Sequence, residues 1–472
     1  MTPVYGDAPA HWWQTIGDGE VAAVSALAVL GIWLGRPLPV LVAGVVAHAL
    51  GARRTIAVVA VAAGIVGVWR GGRAWHDVVP DRLGRFEGVA CLVSDPAPRS
   101  GAVVAVFEIE GERYEAWARG SPRRRLTTHL AGECAWINGD RRALSPTPAR
   151  RAAVRHVVAG LDLRAVGDWS DGAPLDRASN RVRRVFAAGA AELTAPDDAL
   201  FAGLVIGDDR NEPTAVIDQF RAAGLSHLTA VSGQNVAYVL AGAAPLLRRL
   251  RPMARWSATV GIITWFVALT RFEPSVLRAG VMAGIAATGF LLGREKPPGR
   301  VLALAVGVLA LVDPLLVWSV GFWLSVAATA GVALLSTRLA ALVPGPDWLA
   351  LPTGVTLAAQ AGVAPVSLLV FGTLPLVSLP ANLLAVPVAG LVMLYGLPAG
   401  LVAGALHGGS LGWLATALQL PSAIGTRWVA TVAALGARLD PPMPWALAGW
   451  ILLVAALVGR WIAGRRRRVC ES

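Results

Sequence analysis

LVSLPANLLAVPVAGLVMLYGLPAGLVAGAL, residues 376–406, runs without a single charged side chain. About 20 apolar residues suffice to span a bilayer. The stretch therefore crosses a membrane, and its length predicts more than one pass. Further candidate spans lie near 228–247, 256–271, 275–292, 301–335 (interrupted at Asp313-Pro314), 350–371 and 444–463. Residues 411–436 carry Trp413, Gln419, Pro421, Arg427 and Trp428 and read as interfacial. Composition agrees: charged residues make up 15% of the chain, against about 25% in a soluble domain. The fold class is mainly α, a polytopic helical membrane protein.

Upstream, three shorter apolar segments at 21–35, 38–50 and 55–69 form an N-terminal membrane block, residues 1–70. Gly35-Arg36-Pro37 turns the first two into a hairpin. The first ten residues lack the basic cluster of a cleavable signal, so no removed leader is expected.

Between Gly71 and Arg184 the composition changes, with 19 arginines against 14 acidic residues and no spanning run. Residues 86–93, 103–109, 114–117 and 134–137 alternate as strands, the last closed by an Asn138-Gly139 turn. Short strands at this spacing predict a small β-barrel or sandwich over 71–148, with the oligonucleotide-binding (OB) barrel as one option. Residues 149–196 read as basic amphipathic helices, at 150–166 and 178–193, suited to a bilayer surface, a protein flank or DNA.

The formal net charge of +12 is almost wholly arginine, Lys296 being the single lysine. Short basic loops occur at Arg53-Arg54, at Arg248, Arg249 and Arg251, within 294–300, at Arg338 and at 465–468. Placing all of them in the cytoplasm predicts both termini inside and the β domain outside. On that oxidising side, a Cys91–Cys134 bridge would stabilise the small domain by about 3–4 kcal/mol.

Seven histidines stand too far apart in sequence for a local metal motif, and no phosphate-gripping loop is present. The expectation is a protein with no cofactor, no metal site and no enzymatic activity. The polar side chains gather instead in FRAAGLSHLTAVSGQNVAY, residues 220–238. Ser226, His227, Thr229, Ser232, Gln234 and Asn235 open an apolar run, where polar groups face either a cavity or a neighbouring helix. Ser232-Gly233 breaks the helical pattern, as backbone lining a permeation path does. A Ser232/His227 nucleophile pair is the enzymatic alternative, an intramembrane hydrolase or lipid-modifying enzyme. In EPSVLRAGVMAG, residues 273–284, Arg278 lies one turn inside an apolar segment. It either pairs locally or faces a polyanion's path. In the β domain, Arg113, Tyr114, Trp117, Arg119, Arg123, Arg124 and Arg125 interleave aromatic and basic groups, as nucleic-acid platforms do.

Five stretches together resemble the ComEC family, the inner-membrane DNA channel of natural transformation. They are LFAGLVIGDDR (200–210), FRAAGLSHLTAVSGQNV (220–236), PSVLRAGVMAG (274–284), DPLLVWSVGFWLSVAATAG (313–331) and FGTLPLVSLPANLLAVP (371–387). The resemblance implies that residues 197–472 form a polytopic channel domain with a basic cytoplasmic tail, in the cell membrane. It implies transport of one DNA strand during DNA uptake. His227, Ser232, Gly233, Gln234, Asn235 and Arg278 would line or gate the channel, and Asp208, Asp209 and Arg210 would stand at its entrance. The implied partners are DNA, membrane lipids, an external DNA receptor, a cytosolic DNA motor and a separate nuclease, with homo-oligomer assembly left open. Two departures stand out. The family often ends in a metallo-β-lactamase-like domain, which is not expected here, and its SGLHV-like signature reads Ser232-Gly233-Gln234-Asn235-Val236. A carrier of small anionic solutes is the third functional class considered.

Overall fold

Glycine and proline place the first helix ends. Gly35, left-handed at φ 61°, closes α1 (Asp18–Leu34), and Pro37 opens α2 (Pro37–Ala49), so the two fold back on each other. Helix α3 (Arg54–His76) packs along α1. The computed structural model describes residues 17–49, 53–99, 101–229, 232–294 and 296–471. The side chains of the terminal cluster 465–468, like residues 1–16, lie outside the described residues.

The segment after α3 builds a sheet from β1 (Gly84–Leu92), β2 (Ala97–Arg99), β3 (Ala102–Ile109) and β4 (Glu112–Ala118). A short helix, α4 (Gly120–Leu126), leads to β5 (Cys134–Arg142), α5 (Pro146–Ala153) and β6 (Val157–Ser170). The sheet order is β1-β5-β6-β4-β3-β2, and β1 pairs with β3 as well, through Cys91↔Glu108 and Leu92↔Phe107. The β4–β6 pairing is parallel and the others are antiparallel. Inward side chains, among them Phe107, Tyr114, Ile137 and Leu161, form a core of their own. Cys91 and Cys134 stand directly opposite each other on β1 and β5 and are joined by a disulfide.

Four expectations are corrected here. Residues 157–166 are strand, not helix: the helical spacing of the arginines holds only through α5, and then Val158, Ala159 and Leu161 enter the sheet core while Val157 packs with Val106 and Ala152. The β region consequently runs past residue 148, to Ser170. Asn138-Gly139 makes no turn, because β5 continues through it, paired with β1 on one side and β6 on the other. Residues 376–406 give one helix, not several passes.

That helix is α16 (Ser378–Leu406), whose 29 residues reach about 43 Å. Before it come α6 (Pro174–Ala190), α7 (Asp197–Ile206), α8 (Thr214–Ala222), α9 (Ser226–Thr229), α10 (Gly233–Leu247), α11 (Pro252–Leu269), α12 (Pro274–Leu291) and α13 (Pro298–Val312). A 3-10 turn at Pro314–Trp318 separates α13 from α14 (Val320–Ala340), where Asp313 accepts a hydrogen bond from the Leu315 amide. Helix α15 (Asp347–Phe371) precedes α16, and α17 (Gly412–Leu439) and α18 (Met443–Glu471) follow. Among the described residues, six helices are long and apolar enough to cross a membrane: α3, α12, α14, α15, α16 and Met443–Ala463 of α18. The chain is thus mainly helical and fits a multi-pass membrane protein.

The largest core gathers α6, α7, α11, α16 and α17. Helix α6 approaches α16 backbone to backbone. A Cβ at Gly189 would stand 2.0 Å from the Gly400 carbonyl oxygen, and one at Gly404 would stand 1.8 Å from that of Val185. Phe186 of α6 stacks on Phe201 of α7 in the same core. The basic helix expected here is therefore half buried, with its other arginines facing out.

Candidate functional site

The polar stretch folds as two helices with a break between them. Helix α9 carries His227. Ala230 and Val231 lie outside the described residues, and Ser232 then stands in extended conformation at the N-cap of α10. Its hydroxyl bonds the Asn235 side-chain oxygen at 3.2 Å. Asn235 is buried and donates its amide to the Leu204 carbonyl of α7 at 3.3 Å. Gln234 points the other way, exposed, and donates to the Tyr238 hydroxyl. Gly233 lets α10 start hard against α12: a Cβ there would lie 2.8 Å from that of Ala279 and 2.9 Å from Nη2 of Arg278.

Arg278 is only 5% exposed. Its Nε and Nη2 both donate to the Ser325 hydroxyl of α14, at 3.0 and 2.7 Å. Among the described residues no carboxylate pairs with it. The cation therefore ties α12 to α14 beside the start of α10 and keeps an uncompensated charge there.

His227, Asp209 and Glu273 share an unusual environment. Each is exposed, yet each is hemmed in by protein. Crowding pushes the imidazole of His227 down to about 4, leaving the ring neutral. It raises the carboxyl of Asp209, with Asp208 adding to the effect, and that of Glu273, with Asp209 adding. The influence of Asp209 on Glu273 sets the α7–α8 loop beside the α11–α12 corner.

Asp208, two positions before Arg210, behaves differently. It is buried, takes both forks of the Arg210 guanidinium at 2.6 Å, and also meets Arg183 Nη2 of α6 at 3.3 Å. Arg183, 3% exposed, reaches on to Asp95 of the sheet region at 2.9 Å and to the carbonyls ending α7 and α11. Asp95 further accepts from Arg271 and from the Ala131 amide. Asn180 links Arg271 to the Ala131 carbonyl and to Glu133, which holds Arg184 and His129. Burial alone would raise the Asp95 carboxyl, but Arg183, Arg271 and Arg210 outweigh it and hold it below its ordinary value. This clamp joins the sheet to the helical body. A second contact, His156 Nε2 to Asp313 Oδ2 at 3.1 Å, joins them at the 3-10 turn.

The sequence pointed to Asp208 and Arg210 but not to Asp95, Asn180, Arg183, Glu212, Arg271 or Glu273. Nothing local marks Arg183 out from the other arginines of α6.

In the sheet, the basic and aromatic candidates separate by pleat. Trp117 is outward and exposed, its indole donating to Glu115. Arg113 meets Glu108 across the strands. Arg119 follows Trp117, and Arg123, Arg124 and Arg125 stand exposed on α4, with Arg123 held by the Gly101 carbonyl and Arg125 by that of Val166. Arg123 and Arg124 border a shallow recess with Gly120 and Thr127. Tyr114 is a correction. It is fully buried between sheet and core, with its hydroxyl bonded to Glu112 and the Arg82 carbonyl, because the two-residue pleat turns it opposite to Trp117. It offers no surface to a ligand.

Comparison with known proteins bears on the same helices. A family model described as "Competence protein" matches residues 204–464, more than half of the chain. The chain is 30% identical over 214 residues to "ComE operon protein 3" of Bacillus subtilis (strain 168), covering 44% of this chain and 27% of that protein. It is 29% identical over 215 residues to "Uncharacterized protein YcaI" of Escherichia coli (strain K12), covering 41% of this chain and again 27% of the relative. The matched stretch thus spans about a quarter of each relative's length. No solved structure was found to match. The matched span takes in the α9–α10 break, Arg278 and every helix from α8 to α17, and on it the chain belongs to the competence-protein (ComEC) family.

Proposed function

We propose that the protein passes a single strand of DNA across the cytoplasmic membrane during natural transformation, as a channel component and not as an enzyme. The observation that carries this reading is the break between α9 and α10 at Ser232-Gly233, packed against the buried Arg278 inside the family-matched span. A nucleic-acid backbone carries one charge per nucleotide and needs a polar path with few strong anchors. A neutral imidazole at His227 and the exposed Gln234 amide offer hydrogen bonds without holding a phosphate tightly. Arg278 supplies positive potential beside the break, and Asp208, Asp209 and Arg210 shape the entrance.

The sheet is read as an OB-like barrel on the outer face, with both termini inside. Support comes from the ring of pairings β1-β5-β6-β4-β3-β1, the parallel β4–β6 pair and the helix between β4 and β5. Trp117, Arg119, Arg123, Arg124 and Arg125 would meet DNA there. The Cys91–Cys134 bridge suits an oxidising compartment. An external DNA receptor, a cytosolic motor, a separate nuclease and a homo-oligomer complete the proposal. The Ser232 hydroxyl is engaged with Asn235, which speaks against its use as a nucleophile activated by His227.

The test is uptake of labelled DNA into the cytoplasm of a strain lacking the gene, compared with DNA bound at its surface. Loss of internalisation with retained surface binding is expected. Normal internalisation would remove the reading, and unchanged flux of small anions in the same strain separates it from a solute carrier.

A further inference from the structure

Glu212, in the α7–α8 loop and outside the six candidate spans, is 8% exposed, and its Oε1 has no hydrogen-bond partner among the described residues. It rests where α7 has no side chain. A Cβ at Gly203 would stand 2.2 Å from Glu212 Oε1 and 3.5 Å from the Thr229 carbonyl oxygen that ends α9. Both oxygens border the space that Gly203 leaves open, and since a carbonyl and a carboxylate only accept, an ionised Glu212 has no proton to offer that carbonyl. A protonated one brings its own donor.

We propose that Glu212 is a proton-dependent latch, seated between α7 and α9 when it carries a proton and released when it loses it, so that the position of α9 and His227 follows pH. The charged groups around it agree. On its own loop stand Asp208, Asp209 and Arg210, with Arg210 and Arg183 of α6 committed to Asp208. From the sheet, Asp95 is committed to Arg183 and Arg271. The α11–α12 corner adds Glu273, α9 adds His227, and α8 carries Asp218 paired with Arg221. No cation among these described pairs is directed at Glu212. Burial first, then Asp209 and Asp208, push its carboxyl up to about 8.

The sign follows from linkage. A carboxyl released into water returns toward its ordinary value of 4.5. The neutral seat is therefore most favoured below that value and weakens as pH rises from there toward 8. Within this window the released population grows by about tenfold per pH unit. The latch does not depend on what the protein transports. Its consequence for passage, a helix break that loosens as Glu212 ionises, rests on the DNA-channel reading above.

Hydrogen–deuterium exchange of the full chain in lipid nanodiscs tests the latch without DNA. After correction for intrinsic rates, amides of α9 should exchange about tenfold faster per pH unit between about pH 6 and pH 8, while those of α16 stay unchanged. Glu212→Gln, neutral at every pH, should abolish that dependence while keeping α16 protected. Asp209→Asn, which removes a neighbouring like charge, should move the transition to lower pH. PH-independent protection of α9 in the wild type, or a dependence that survives Glu212→Gln, would overturn the proposal. Because no DNA is present, neither result bears on the channel reading.

Discussion

Arg183 and Arg278 show how two buried arginines, one in a basic helix and one in an apolar segment, acquire different roles. Arg183 is fully engaged by Asp95 and Asp208. Removing it would strand two buried carboxylates, so Arg183→Met should destabilise the protein by about 3–5 kcal/mol, read as a lower unfolding temperature of the purified protein. The carboxyl of Asp95 is held below its ordinary value of 3.8. Its contribution is therefore complete above that value and is lost only as pH falls through the depressed folded value. Arg278 has Ser325 and Met282 but no carboxylate among its described contacts. Arg278→Ala should abolish DNA uptake while membrane fractionation finds normal amounts of protein; unchanged uptake would exclude a passage role for the residue. The motif in sequence singled out Arg278 because arginine is conspicuous in an apolar segment. Arg183 was hidden, since neighbouring arginines on α6 look alike until one sees which of them turns inward.

Among the elements, β6 was the least legible. Its residues sit directly after an arginine-rich helix, and its alternation becomes decisive only when β4 and β5 are seen on either side. The disulfide lies between β1 and β5 and closes a loop of separation 43. Cys91→Ser should lower the sheet's stability by about 2–4 kcal/mol, and a thermal melt with and without reductant should show the same difference in the wild type only. Between helices, the contact of α6 with α16 depends on missing side chains. Gly404→Ala would place a methyl group against the Val185 carbonyl. Such overpacking should cost about 1–3 kcal/mol, measured as a shift in the denaturation midpoint. The length of α16 misled in the opposite direction. Its prolines at 387 and 398 suggest interruptions, but the helix continues through both, as membrane helices do when neighbours satisfy the freed carbonyls.

For the whole molecule, the clamp and the His156–Asp313 contact mean that the sheet is tied to the helical body at two places. DNA held on the sheet would therefore act on the loops that meet in the clamp. Replacing Trp117, Arg123 and Arg124 together by alanine should weaken surface DNA binding, and log K plotted against log salt should become shallower by about one to two units. An unchanged slope would place DNA capture elsewhere. The membrane character and the family were readable from the sequence by itself, because apolar runs and contiguous motifs are properties of neighbouring residues. The polar break at Ser232-Gly233 was readable for the same reason. Only the tertiary structure decided that Tyr114 faces inward, that Asp208 belongs to a clamp and that Glu212 Oε1 is buried without a partner among the described residues. Asp95 and Arg271 meet although 176 positions apart, and burial and pairing at such distances depend on the path of the whole chain through space.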